Sequence, residues 1–154
     1  MAIQEHAGPR RELRALFELA EDSRQELDAY IDAGRVLVAV EGGKPVGHLQ
    51  LTDTGEPDTV ELKNMAVLES HQRRGVGSAL VAAAVERLRH GGRSRLVVAT
   101  AAADVGNLRF YQRLGFRMVS IERDAFTPQA GYPEDLDVDG IPLRDRVWLD
   151  RAVG

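Results

Sequence analysis

The sequence predicts an α/β (α+β) fold. β-rich runs alternate with amphipathic helical stretches through the middle of the chain, and the longest helical stretch stops at a Gly91-Gly92 pair. At 154 residues the chain has the length of one domain with one substantial core, so 1–154 is read as a single domain.

Ala2 to His6 is a short strand candidate. From Pro9 to Ala20, Leu13, Leu16, Phe17 and Ala20 fall on one helical face, which predicts an amphipathic helix. Ser23 with Glu26 three residues later has the form of a capping box, and Leu27, Tyr30 and Ile31 make a second stripe that ends at Gly34. Val36 to Val40 and Val46 to Leu51 flank Gly42-Gly43-Lys44-Pro45 and predict a hairpin; Val60 to Val67 continues the sheet. Val76, Leu80, Val81, Ala84, Val85 and Leu88 recur at helical spacing, the strongest signal in the chain. Leu96 to Ala99 is a buried-type strand, Leu108 to Leu114 a helix closed by Gly115, and Phe116 to Ile121 and Val147 to Leu149 the last strands. Thr127 to Pro142 is broken by Pro128, Gly131, Pro133, Gly140 and Pro142 and predicts a long loop.

A formal net charge of −4 disfavours nucleic acid, which needs a basic surface to displace phosphate counterions. No apolar run reaches the length of a bilayer span, so no membrane partner is expected. The residues from Met1 lack the basic and apolar regions of a secretory signal, and the cysteine count is 0; both point to the cytoplasm. Without cysteine there is no disulfide, thiolate metal site or Cys-bound acyl intermediate.

The segment that carries chemistry is Gln72-Arg73-Arg74-Gly75-Val76-Gly77-Ser78, between a strand and the strong helix. A helix N-terminus presents unpaired N–H groups and partial positive charge, glycines allow close approach of an anion, and two arginines add cationic donors. The segment therefore suits a pyrophosphate. Gly-x-Gly by itself also marks an ordinary tight turn. A Walker loop fails on spacing, and the dinucleotide fingerprint fails because Leu80 stands three positions after Gly77.

Gln72-x-x-Gly75-x-Gly77 resembles the acetyl-CoA motif of the Gcn5-related N-acetyltransferase (GNAT) family, written Q/R-x-x-G-x-G/A. Leu62 to Val67 is similar to that family's central strand, and Phe110-Tyr111-Gln112-Arg113-Leu114-Gly115-Phe116 to its FYxxxGF segment. The resemblance covers about residues 36 to 123. It implies a mixed, mostly antiparallel twisted sheet of six to seven strands flanked by about four helices, and transfer of an acetyl group from acetyl-CoA to an amine in a ternary complex without a metal. Met65, Ala66 and Val67 would then offer backbone groups to the pantetheine arm and acetyl carbonyl. The amides of Arg73, Arg74, Gly75, Val76, Gly77 and Ser78 would hold the pyrophosphate, with Gln72 completing the motif.

Tyr111 matches the tyrosine that protonates the departing thiolate; packing is its plainer role. Glu61, six residues before Val67, is similar in spacing to the glutamate that serves as general base in the histone-acetyltransferase branch. An amine arrives largely protonated and attacks only when neutral, so such a group is needed. Strand alternation puts Glu61, Lys63, Met65 and Val67 on one side, although Glu61 beside Lys63 also fits an ordinary ion pair. Where many relatives carry asparagine, this chain has Asp104, which suits a helix cap, and Asn107 is the nearby asparagine that could contact CoA.

His48 and His71 lack ligand-spaced companions and read as packing or surface residues, and Ser70 and Ser78 show no triad partners. Phe126, Tyr132 and the acidic residues of the late loop either meet a cationic amine or, for the aromatics, anchor the loop. The acceptor is expected to be a small-molecule amine. A protein N-terminus or lysine, or an acetyl-CoA-binding regulatory role without turnover, are the alternatives. Homodimers are common among similar proteins, and the resemblance leaves a homodimer open.

Overall fold

The computed structural model describes residues 1–154 and builds the chain on one seven-stranded mixed sheet. Its strands are β1 (Ala2–Glu5), β2 (Arg35–Glu41), β3 (Lys44–Asp53), β4 (Thr59–Val67), β5 (Arg95–Ala101), β6 (Arg117–Glu122) and, after a separate hairpin of β7 (Asp137–Val138) and β8 (Ile141–Pro142), β9 (Arg146–Ala152). The order is β1-β2-β3-β4-β5-β9-β6; every neighbouring pair is antiparallel except β4 with β5, which is parallel. Four helices flank it: α1 (Arg14–Ala20), α2 (Arg24–Tyr30), α3 (Val76–His90) and α4 (Val105–Arg113). The expected mostly antiparallel sheet with four helices is the observed fold, and no helix is long and apolar enough to cross a membrane.

Period-two alternation splits the sheet into two buried faces. On β2, Leu37 and Ala39 join Leu49, Leu51, Leu62, Leu96 and Leu149 under Leu80, Val81, Ala84 and Leu88 of α3. Val36 and Val38 point the other way, against Leu13, Leu16, Phe17, Leu27 and Ile31 of the N-terminal helices. Burying each such Leu or Phe stabilises the fold by roughly 1.5–3 kcal/mol relative to leaving it in water.

Local chemistry explains the joints. Ser23 caps α2, its Oγ accepting from the Glu26 N–H at 3.1 Å while donating to the Ala130 carbonyl at 2.6 Å. Gly42 and Gly43, with φ of 60° and 77°, form the two-residue turn that joins β2 to β3. The Pro9–Ala20 segment departs from the expected continuous helix: Arg10–Leu13 is a 3-10 turn and α1 begins only at Arg14. Arg10 is drawn off the helix by the carbonyls of Ile31, Ala33 and Gly34, to which its guanidinium donates at 2.8, 2.8 and 2.7 Å. The late segment is more ordered than a loop, since Val138 pairs with Ile141 across the Asp139-Gly140 turn, where both φ are positive.

Gly34 takes φ of +60°, and a Cβ there would lie 1.9 Å from the Leu51 carbonyl oxygen. Gly34→Ala is expected to cost about 3 kcal/mol or more, whereas Gly92→Ala, also at positive φ but with open space around it, should cost about 1 kcal/mol. Urea midpoints of the two variants check this; equal losses would contradict it.

Candidate active site

The site is built where β4 and β5 part. Their parallel ladder runs from Thr59 opposite Arg95 to Leu62 opposite Val98 and stops. β4 continues to Val67 along β3, and β5 continues to Ala101 along β9. Beyond Leu62, therefore, the edge of β4 that faced β5 has no strand beside it, and its backbone groups need other partners. Met65, Ala66 and Val67, the expected pantetheine contacts, line this opening and are half-buried.

The chain then turns into α3. Gln72 donates from Nε2 to the Val67 carbonyl at 3.0 Å, tying the turn back to the strand. Arg73 (φ 65°) and Gly75 (φ 80°) adopt left-handed backbone at the turn. Ala79 is the first residue to bond back, its N–H donating to the Gly75 carbonyl at 2.9 Å; the N–H groups of Val76, Gly77 and Ser78 donate to nothing in the chain. Arg73, Arg74, Gly75 and Ser78 are exposed, and neither arginine is ion-paired within the chain. The result is three free donors at a helix N-terminus with two unneutralised guanidiniums beside them, suited to a pyrophosphate. Gly77 has an added steric reason to be glycine: a Cβ would sit 3.2 Å from the Phe110 ring. That contact joins the start of α3 to α4.

Tyr111 of α4 is buried, with Phe110 and Phe116 edge-on at 5.1 and 5.4 Å between centroids. Its hydroxyl has no partner in the chain, yet it is not among the fully enclosed unpaired atoms, so it opens onto free space. Burial, helped by Asp104, pushes this phenol above its ordinary range and keeps it protonated at neutral pH. Asp104 caps α4 as expected, accepting from the Asn107 N–H at 2.9 Å. The Asn107 amide donates to Thr100 Oγ1 at 3.3 Å, so its side chain is engaged inside the protein.

The expectation that Glu61, Lys63, Met65 and Val67 share a side is corrected. The β3–β4 register shifts, with Gln50 opposite Asn64 but Leu51 opposite Leu62, so Lys63 is the extra residue of a β-bulge. Met65 and Val67 pack against the α3-side core. Glu61 instead shares the opposite face with Asn64 and Ala66. Its carboxylate lies 3.8 Å from Lys63 Nζ, which also stands 4.8 Å over the Tyr30 ring. Burial raises the Glu61 carboxyl above the usual carboxylate range, against the pull of Lys63 and Arg146.

Glu61 also lines a cavity of about 410 Å³ with Glu56, Val97, Val119, Ser120 and Trp148. Apart from Glu61, none of these was singled out in the sequence. Trp148, the one tryptophan, carried a faint signal, because Val147 and Leu149 alternate around it and so turn it to the other face. Tyr132 is buried, edge-on to Phe126 at 5.0 Å, and donates to Glu21 Oε2 at 2.7 Å, so these aromatics anchor the late segment.

The chain matches the acetyltransferase (GNAT) family over residues 4–116. The chain belongs to that family. It is 36% identical over 141 residues to an uncharacterized N-acetyltransferase, YvbK, of Bacillus subtilis, covering 90% of this chain and 89% of that protein. Among solved structures it resembles an acetyltransferase of Bacillus subtilis in complex with CoA (TM-score 0.87, 34% identity, 97% of each chain). It also resembles an IAA acetyltransferase of Bacillus cereus (0.86, 34%, 98% and 99%) and a GNAT acetyltransferase of Elizabethkingia anophelis with acetyl-CoA bound (0.88, 28%, 98% and 97%).

In this acetyltransferase a buried polar chain stands behind the Glu61 face. Asn64 donates to the Phe17 carbonyl and the Tyr30 hydroxyl, at 3.2 and 2.9 Å, leaving Oδ1 to accept from His48 Nε2 at 2.7 Å. The Tyr30 hydroxyl in turn donates a hydrogen bond to Glu21 Oε1 at 3.0 Å, and Glu21 accepts another from Tyr132. His48 is thus a neutral imidazole under Phe17, and burial lowers it from 6.5 to about 4 although the Asn64 bond opposes the shift. Because the unfolded chain takes up this proton at higher pH than the folded one, His48 stabilises the fold fully above pH 6.5 and loses that contribution as pH falls toward 4. The expected loss is about 3 kcal/mol. Urea denaturation at stepped pH should show the decline in the wild type and a flatter profile in His48→Gln; parallel profiles would contradict the assignment.

Proposed function

We propose that this acetyltransferase moves the acetyl group of acetyl-CoA directly onto the primary amine of a small molecule, with both substrates bound together. The observation that carries the reading is the parting of β4 from β5, because it is the place where the two faces of the sheet open onto one another. Tyr111 and the free amides at the start of α3 belong to the α3-side face, and Glu61 with its cavity to the other. A thioester laid in the opening is then reached by acid from one side and by amine from the other.

The donor is held by its pyrophosphate on the N–H groups of Val76, Gly77 and Ser78, with Arg73 and Arg74 adding charge. Its pantetheine amides replace the missing strand beside Met65, Ala66 and Val67. Glu61, with its carboxyl drawn toward neutral pH, accepts a proton from the incoming ammonium through water. The freed nitrogen lone pair attacks the thioester carbonyl, and a backbone N–H of β4 steadies the oxyanion. The C–S bond breaks, Tyr111 supplies the proton that the sulfur takes, and the second proton left on the attacking nitrogen passes through water to restore the phenol. The hydrogen bond of Asn107 to Thr100 favours a structural role for that residue over contact with CoA.

A small acceptor is supported by the cavity volume of about 410 Å³, within the range of small-ligand pockets, and by its apolar wall of Val97, Val119 and Trp148. CoA release across amines, amino acids and peptides tests this: release with small amines is expected. Release with peptides alone would make the acceptor a protein, and binding without release would favour a regulatory role.

Tyr111→Phe keeps the aromatic packing and removes the proton, so turnover should fall roughly ten- to a thousandfold with acetyl-CoA affinity unchanged. Unchanged turnover would remove Tyr111 from the mechanism. Ser78→Glu, at an exposed position, should weaken acetyl-CoA binding about tenfold or more through charge placed among the free amides. Calorimetry reads that loss, and an unaltered affinity would move the phosphate site elsewhere.

A further inference from the structure

We propose that Glu56 selects the acceptor: given that the cavity beside Glu61 is where the acceptor binds, the amine that is acetylated carries a second positive charge, and the Glu56 carboxylate holds it. Three charged residues line the cavity, Glu56, Glu61 and Arg95. Two of them already have partners. Glu61 lies 3.8 Å from Lys63 Nζ, and Arg95 donates from Nε to Asp150 Oδ2 at 2.8 Å. Glu56 forms no ion pair in the chain. The lining therefore presents one carboxylate that no side chain neutralises, and the one cation on it is committed to Asp150. An acceptor ending in a carboxylate would meet repulsion from Glu56, whereas an ammonium or guanidinium would meet attraction.

The place of Glu56 in the fold sets the distance between the two groups. It belongs to the turn between β3 and β4, where its N–H donates to Thr54 Oγ1 at 3.1 Å and its carbonyl accepts from the Thr59 N–H at 3.2 Å. These bonds hold the residue against the start of β4, with Thr59 Oγ1 standing 3.4 Å from Glu56 Oε2. Glu61 follows Thr59 by two strand residues, about 7 Å further along, and lines the same cavity. β4 parts from β5 beyond Leu62, so Glu61 stands at the thioester end and Glu56 about one strand repeat behind it. An amine activated at Glu61 places its second cation beside Glu56 when a chain of about four to five carbons joins the two groups.

The rest of the wall suits such a chain. Val97, opposite Glu61 on β5, offers hydrocarbon to the methylenes. Trp148 adds an aromatic ring, to whose face a cation is drawn, and its indole N–H is fixed by donation to Glu122 Oε1 at 3.2 Å.

The test compares kcat/KM, read as CoA release at saturating acetyl-CoA, for diaminobutane, butylamine and 4-aminobutanoate. These amines match in length and end in an ammonium, a methyl and a carboxylate. The wild type should favour diaminobutane over butylamine about tenfold, and over 4-aminobutanoate by more. Glu56→Gln should shrink the preference over butylamine about fivefold, through a higher KM for the diamine rather than a lower kcat. Glu56→Lys should put 4-aminobutanoate ahead of diaminobutane. Equal use of diaminobutane and butylamine by the wild type, or a preference that Glu56→Gln leaves intact, would keep a small amine as the acceptor and remove Glu56 from its selection. Release with none of the three amines but with peptides would remove the small acceptor itself, and the role of Glu56 with it.

Discussion

A parallel pair of strands that separates after four residues leaves backbone donors and acceptors with no partner in their own chain, and the rest of this structure is arranged around that fact. β4 cannot close the gap because its far edge is committed to β3, and β5 cannot because β9 holds it through to Ala101. The opening is therefore kept apart by the hydrogen bonds of its neighbours rather than by a flexible loop. α3 is set at one end of it by the Gln72 bond to Val67 and by the Phe110 ring against Gly77, so the free amides of the helix start and the free edge of the strand form one continuous surface.

The electrostatics follow from burial on either side. Tyr111 and Glu61 are each shifted so that the proton is held more tightly than in water, but the consequences differ. A phenol so shifted is an acid that stays loaded at neutral pH. A carboxylate so shifted is a better base for an ammonium, provided that Lys63 and Arg146 keep it ionised. The polar chain from His48 through Asn64, Tyr30 and Glu21 to Tyr132 gives this face its rigidity, linking β3, β4, α2 and the late segment in the interior. Half-satisfied, it would be costly; two atoms, His48 Nδ1 and Gln50 Oε1, do remain without partners.

Much of this was legible from residue patterns. The α3 stripe, the Ser23 and Asp104 caps and the Gly42-Gly43 turn are local signals whose physics is complete within a few residues, and all appear in the structure. So do the left-handed backbone of Gly75 and the unbonded N–H groups at the start of α3. What local reading missed depends on distant partners. The 3-10 turn at Arg10 answers to carbonyls twenty or more residues away. The side on which Glu61 lies is decided by a bulge at Lys63, and a one-residue slip reverses every side chain beyond it. The cavity wall draws on β4, β5, β6 and β9, which no window of sequence joins.

The central claim is that the parted strands and the start of α3 together hold acetyl-CoA. Amide hydrogen exchange measured with and without acetyl-CoA tests it most directly, because the amides of Val76, Gly77 and Ser78 have no hydrogen-bond acceptor within the chain. The account predicts new protection confined to Met65–Val67 and Arg73–Ser78 on binding. Saturation with acetyl-CoA that leaves those two segments unprotected, or protects a different part of the chain instead, would contradict it.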